Sequence, residues 1–186
     1  MLGLRKKSSP RQVSSDMNKK QKRYEALVHA FHADVFRYAY YLAKDSSIAE
    51  DIVQETFLRA WRSLDSLKDE KAAKSWLITI VRRENARRFE RKQLDIVDIE
   101  DTPVADETAT AERSVEHSEL QRLLAGLSVE YREPLILQLL FGYSGEEIAE
   151  QLNLNKNTVM TRLFRARNQL RDIMSKESEV RGQQNG

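Results

Sequence analysis

Residues 131–174 read YREPLILQLLFGYSGEEIAEQLNLNKNTVMTRLFRARNQLRDIM. The spacing predicts an apolar helix, a short helix, a tight turn and a long basic helix. Gly142 and Gly145 punctuate the entry to the short helix, and Ile148, Ala149 and Leu152 give it one apolar face. Leu154 begins the turn. Val159, Leu163 and Leu170 back the last helix, whose other faces carry Lys156, Asn157, Thr158, Thr161, Arg162, Arg165 and Arg167. The second and third segments are spaced as a helix-turn-helix. An apolar back with an exposed face of Arg, Lys, Thr and Asn suits the DNA major groove, where side chains near the helix N-terminus reach base edges and later ones hold phosphate.

Outward from this stretch, Leu120, Leu123, Leu124 and Leu127 predict the first helix of the same domain. Glu133-Pro134 is expected to begin the next, since proline is tolerated in a first turn, with Leu135, Ile136, Leu139 and Leu140 packing it. A polar tail is expected over 175–186. Upstream, Asp95, Asp98, Glu100, Asp101, Asp106, Glu107, Glu112, Glu116 and Glu119 accumulate around a single base, Arg113, and TPVADETATAE breaks any period. Residues 95–118 therefore read as an acidic flexible linker at a domain boundary. Solvation, docking in a basic cleft and masking of the DNA-binding faces all remain open as its use.

Before the linker comes a second helical domain, residues 24–94. Leu27, Val28, Phe31, Val35, Phe36, Ala39 and Leu42 recur at helical steps, with Tyr38, Tyr40 and Tyr41 widening the band. Asp45 or Ser46 is placed to cap a new helix. In that helix Ile48, Ala49, Ile52, Val53, Thr56, Phe57, Ala60 and Trp61 face the core, whereas Asp51, Gln54, Glu55, Leu58 and Arg62 share the opposite stripe. A leucine set among acids and an amide there looks like a docking surface for a basic partner. Residues 65–74 read as a charged loop, with a short helical turn as an alternative. The helix after it has Trp76, Leu77, Ile80, Val81 and Phe89 as anchors and Arg83, Arg87 and Arg91 stacked at i, i+4 and i+8, flanked by Arg82, Arg88 and Lys92. Like charges at i, i+4 repel by about 0.2–0.5 kcal/mol per pair, a cost that a polyanion removes. Residues 1–23, rich in Arg and Lys with Asp16 as the only acid, are expected to be a disordered basic arm with at most a weak nucleic-acid contact, and Met17 is an alternative translation start.

The totals exclude several classes. In 186 residues, 40% are hydrophobic and 32% charged, enough for one medium or two small domains. Six Gly and three Pro disfavour a turn-rich β fold. Without Cys there are no disulfides or thiolate metal sites, which fits a reducing cytoplasm. Apolar runs such as PLILQLLF are too short to span a bilayer, so no membrane insertion is expected. The net charge of +2 conceals the segregated pattern. The expected fold is all-α, two small helical domains joined by the acidic linker.

In this order, AEDIVQETFLRAW (49–61), SWLITIVRRENARRFERK (75–92) and LSVEYREPLILQLLFGYSGEEIAEQLNLNKNTVMTRLFRARNQLR (127–171) resemble regions 2.2, 2.3 to 2.4, and 4 of the extracytoplasmic-function (ECF) group of sigma-70 family RNA polymerase sigma factors. The resemblance runs from Tyr24 to Met174. It implies a non-enzymatic protein that binds core RNA polymerase, through the β′ clamp and the β flap, and directs promoter recognition and opening. It implies core contacts from Asp51, Gln54, Glu55 and Leu58, and −10 contacts from Lys68, Lys71, Lys74, Trp76, Arg83, Arg87, Arg88 and Arg91. The −35 contacts implied are Lys156, Asn157, Thr158, Thr161, Arg162, Phe164 and Arg165, with residues 119–174 forming region 4. Phe164 suits either contact or core. An anti-sigma factor is implied as a partner, and the acidic linker would thread the RNA channel of the polymerase. No cofactor is implied. The chain departs from its relatives at Met160, where many carry a base, at the DEKAAK loop, and at Arg83, where Asn is frequent and Asn85 lies nearby.

The runner-up is a free-standing helix-turn-helix regulator, dimeric on a palindrome, which leaves the upstream helices idle. An enzyme would have to use Glu25, His29 and His32, but a di-metal carboxylate site wants Glu-x-x-His from paired helices, and no second motif is present. No Gly-rich phosphate loop or nucleophile elbow appears.

Overall fold

The computed structural model describes residues 10–95, 120 and 122–184, and every regular element over these is helical. α1 (Pro10–Ala43), α2 (Ser46–Ser63) and α3 (Ala73–Asp95) pack as one unit. α4 (Val129–Phe141), α5 (Gly145–Leu152) and α6 (Lys156–Gln184), led in by helical residues 122–125, form the other.

The apolar period of α1 becomes the core of the first unit. Leu27, Val35, Tyr38, Ala39 and Leu42 are buried against Ile52, Val53, Phe57 and Ala60 of α2 and Leu77, Ile78 and Val81 of α3. Lys44 ends α1 in the left-handed conformation (φ 63°). Asp45 then caps α2, its carboxylate accepting from the Ile48 N–H at 2.7 Å. The charged stretch 65–74 is more ordered than a loop. Short 3-10 turns run over Leu64–Ser66, with Leu64 buried, and Glu70–Ala72; Leu67 is buried between them, and Asp69 accepts from the Lys71 N–H at 2.9 Å to start the second turn.

Three boundaries differ from expectation. α1 begins at Pro10, so residues 10–23 are helical rather than a disordered arm; residues 1–9 lie outside the described residues. The extension docks where periodicity is silent. Lys20 pairs with Asp65 at 2.9 Å and lies over the Trp61 ring, Arg23 donates to the Leu67 carbonyl, and Tyr24 meets Trp61 edge to face. Similarly, α4 starts at Val129 and Pro134 sits inside it. The Ser128 carbonyl accepts from Tyr131 and Arg132, and the buried Leu135, Ile136 and Leu137 hold the helix through the hydrogen bond that proline lacks. The acidic linker falls outside the described residues apart from Asp95, the last residue of α3, and the region expected to be a tail continues α6 to Gln184.

The helix-turn-helix is built by its punctuation. Gly142 takes φ 69° after α4, with Tyr143 N–H reaching the Leu137 carbonyl at 3.1 Å, a closure that favours glycine. Ser144 and Glu147 form a reciprocal capping box on α5. Asn153, in the left-handed region at φ 53°, ends α5 while Leu154 N–H returns to the Ala149 carbonyl. The hydrogen bonds from Ser144, backbone first, hold the Glu147 carboxyl below its ordinary value of 4.5. A depressed folded pKa gives stability that is complete above the unfolded value and is lost as pH falls through the folded one. Glu147→Ala should therefore lower Tm at neutral pH, and the gap to wild type should shrink in acid below the usual glutamate range. Thermal melts at both pH values check this; a gap of constant size would show that the carboxylate charge contributes nothing.

Candidate docking and nucleic-acid interfaces

α2 buries one face and leaves the other bare. Asp51, Gln54, Glu55 and Leu58 are all exposed, Leu58 at 43%. Neither Asp51 nor Glu55 has an ion-pair partner among the described residues. The sequence stripe is thus one continuous surface: two unpaired carboxylates, an amide and an isobutyl group, suited to a basic, partly apolar partner.

The basic stripe of α3 divides. Glu84 is only 7% exposed and pairs with Arg59 of α2 and, at 3.3 Å, with Arg87 one turn on. Arg87 is thereby half-buried and bonded within the fold. Arg83 and Arg91 are exposed and Arg88 is partly so. Asn85 is buried. Lys68 and Lys71 stand exposed, whereas Trp76 is half-buried, packed against the core.

One end of α3 lies against the second unit. Glu133 of α4 accepts from the Tyr38 hydroxyl at 2.7 Å and from Arg82 Nε at 2.6 Å. Arg82 Nη1 also donates to the Gln151 carbonyl at 3.0 Å. The Gln151 amide donates back to the Ser75 carbonyl (3.1 Å) and to Thr79 Oγ1 (2.9 Å). Lys74 pairs with Asp34 at 2.9 Å and sits 4.8 Å from the Phe141 ring centre, and Phe141 meets Tyr38 edge to face. Burial first, then the Glu133 carboxylate, push the Tyr38 hydroxyl well above its ordinary pKa, so it stays a donor. Lys74, placed by sequence among the nucleic-acid contacts, is occupied inside the fold. Arg82 and Gln151, which hold the two units together, were outside the candidate set, and only an alignment of partners across the linker could have signalled them.

On α6, Val159, Leu163 and Ala166 are buried. Asn157, Thr158, Thr161, Phe164 and Arg165 are exposed along the side away from the core. Phe164 is 63% exposed, so of its two readings it is surface rather than core. Asn155 starts the helix, its side chain accepting from the Asn157 N–H at 2.7 Å. Lys156 pairs with Glu146. Arg165 donates to the Tyr131 hydroxyl at 3.3 Å, while Arg162 leans toward Glu130 of α4, 3.8 Å away. The candidate residues are thus gathered on one face, with Arg165 more available than Arg162. Among the described residues no group of acids and histidines could hold a metal ion, and no helix is long and apolar enough to cross a membrane.

Comparison with known proteins adds two family matches. Residues 27–94 match Sigma-70 region 2, and residues 117–170 match Sigma-70, region 4. The chain is 33% identical over 164 residues to the RNA polymerase sigma factor SigV of Bacillus subtilis, covering 87% of this chain and 98% of that one. It is 27% identical over 161 residues to the ECF RNA polymerase sigma factor SigX of the same organism, covering 81% and 83% respectively. Among solved structures, the sigma factor RpoE of Bartonella quintana, in complex with the anti-sigma factor NepR, is 27% identical with a TM-score of 0.72, covering 83% of this chain and 98% of that one.

Proposed function

Because the chain belongs to the extracytoplasmic-function group of the sigma-70 family of RNA polymerase sigma factors, we propose a division of its work among three exposed faces. The protein binds core RNA polymerase and promoter DNA and directs transcription initiation. Sigma factors are non-enzymatic regulators, so the bond-making stays with the polymerase. Residues 24–94 engage core polymerase and the −10 element, 95–118 link, and 119–174 read the −35 element.

Asp51, Gln54, Glu55 and Leu58 dock on the basic coiled coil of the β′ clamp. Arg83, Arg88 and Arg91, with Lys68 and Lys71, hold the backbone of DNA opening at −10; Lys74, against Phe141, joins them once the second unit has moved, while Arg87 does so by exchanging Glu84 for phosphate and Trp76 borders the contact from the first unit's core. The α6 face from Lys156 to Arg165 reads duplex at −35, with the same unit resting on the β flap. The observation that carries this reading is the separation of charge: an unpaired acidic and apolar stripe on α2, and exposed basic faces on α3 and α6. A protein surface and two stretches of nucleic acid fit those three faces. RpoE was captured with an anti-sigma factor, which supports a partner of that kind here.

The test is in vitro transcription by purified core polymerase with and without this protein. Initiation at discrete promoters only when it is present is expected. A dimer that binds a palindromic duplex and leaves initiation unchanged would replace this reading with that of a free-standing regulator.

A further inference from the structure

α6 presents an exposed apolar pair in the turns that would enter the groove. Met160 is 48% exposed and Phe164 63%, and their i, i+4 spacing puts them side by side. Beside the pair, Lys156 pairs with Glu146 and the Thr161 hydroxyl donates to the Asn157 carbonyl. Behind the pair the core is closed by Ile148, Val159 and Leu163. Met160 therefore has no packing duty that requires methionine.

It is nevertheless seated. A Cβ built on Gly145 would lie 3.1 Å from Met160 Sδ. The thioether crosses the first residue of α5, where a hydrogen leaves room for it and a methyl would push it aside. The structure thus combines a long apolar side chain near the N-terminus of the reading helix with a glycine that leaves room for it to lie there. In the major groove the base edges offer hydrogen-bonding groups and one apolar group, the C5-methyl of thymine.

Resting on the reading of α6 as the −35 helix, we propose that Met160 is a specificity-determining residue that reads a thymine methyl in the −35 element, with Gly145 as its positioning residue. Met160 supplies dispersion contact and excludes water from the methyl; Phe164 borders the same contact. A cationic side chain at this position would select a different base edge.

The experiment uses the full chain in holoenzyme. The strongest −35 sequence is first selected from a template library randomised over that element, and each thymine is then replaced singly by deoxyuridine, which removes only the methyl. Initiation by the wild type should fall about fourfold at one such position, the factor for burying one methyl-sized group. Met160→Ala, and independently Met160→Gln, should erase the thymine-to-uracil difference while leaving core-polymerase binding intact. Gly145→Ala should reduce the difference, because alanine is well tolerated at a helix start and the thioether is what must move. Equal initiation on thymine and uracil at every position would overturn the proposal. So would a ratio that persists in both Met160 variants, or variants that weaken core binding and leave the ratio alone, as a protein-docking role for the pair would require. Initiation insensitive to the whole −35 element is a separate outcome, which removes the assignment of α6 itself.

Discussion

Reversing two charges on α2, Asp51→Arg with Glu55→Arg, should weaken binding to core RNA polymerase by about a hundredfold or more while the protein stays folded. Both side chains are exposed and unpaired among the described residues, so the fold does not depend on them. Their i, i+4 spacing already sets like charges together, and reversal preserves that relation. The new cost to folding is an arginine at 55 one turn before Arg59, which Glu84 neutralises; about 0.3 kcal/mol covers it. At the interface the effect is large, because two attractive contacts become repulsive where water is excluded. Fluorescence titration against core polymerase, paired with a urea melt, separates the two quantities. A folded double mutant that binds core polymerase as the wild type does would remove α2 as the docking face. The residual attraction of the wild type should also decline with salt.

Arg165→Ala should lower initiation from a −35-dependent promoter about tenfold, and core-polymerase binding by less than twofold. One base or phosphate contact by an arginine is worth about 1–3 kcal/mol, and tenfold lies at the lower part of that range. Arg165 is the better choice than Arg162 because it projects from the exposed side of α6, tied among the described residues by a 3.3 Å hydrogen bond to Tyr131. Arg162 is turned toward Glu130. Initiation at promoters with an intact and a scrambled −35 element, with core binding measured in parallel, checks the assignment. Loss in equal proportion in both measurements would place Arg165 at the polymerase rather than on DNA.

Much of this was readable from the chain because helices encode their own burial. The period of Leu27, Val35, Ala39 and Leu42 gave α1 its core face, and Gly142 with Gly145 marked the entry to α5, since turn chemistry is as local as helical period. Periodicity gives an angle around a helix and nothing about what lies across from it. Arg83, Arg87 and Arg91 therefore read as one stripe, yet Glu84 draws Arg87 and Arg59 into a buried cluster. Glu133 looked like a helix start beside Pro134; it is instead the acceptor for Tyr38 and Arg82, partners distant in sequence. The helical residues before Tyr24 were hidden for the same reason, since Lys20 and Arg23 gain their partners, Asp65 and Leu67, only after the chain has turned back.

The Glu133 and Gln151 hydrogen bonds have a consequence for the order of events. On the proposed reading of α3, with Lys74 against Phe141 and Ser75, Thr79 and Arg82 hydrogen-bonded by the second unit, the −10 face is complete only in the fraction of molecules whose units have parted. The apparent promoter affinity of the free protein is the intrinsic one scaled by that fraction; a tenfold bias toward the closed form costs tenfold in affinity. The α2 stripe carries no such toll, because no described residue covers it. That reading expects polymerase to meet a ready surface and DNA an unready one, with capture by the enzyme first and promoter engagement after the units separate.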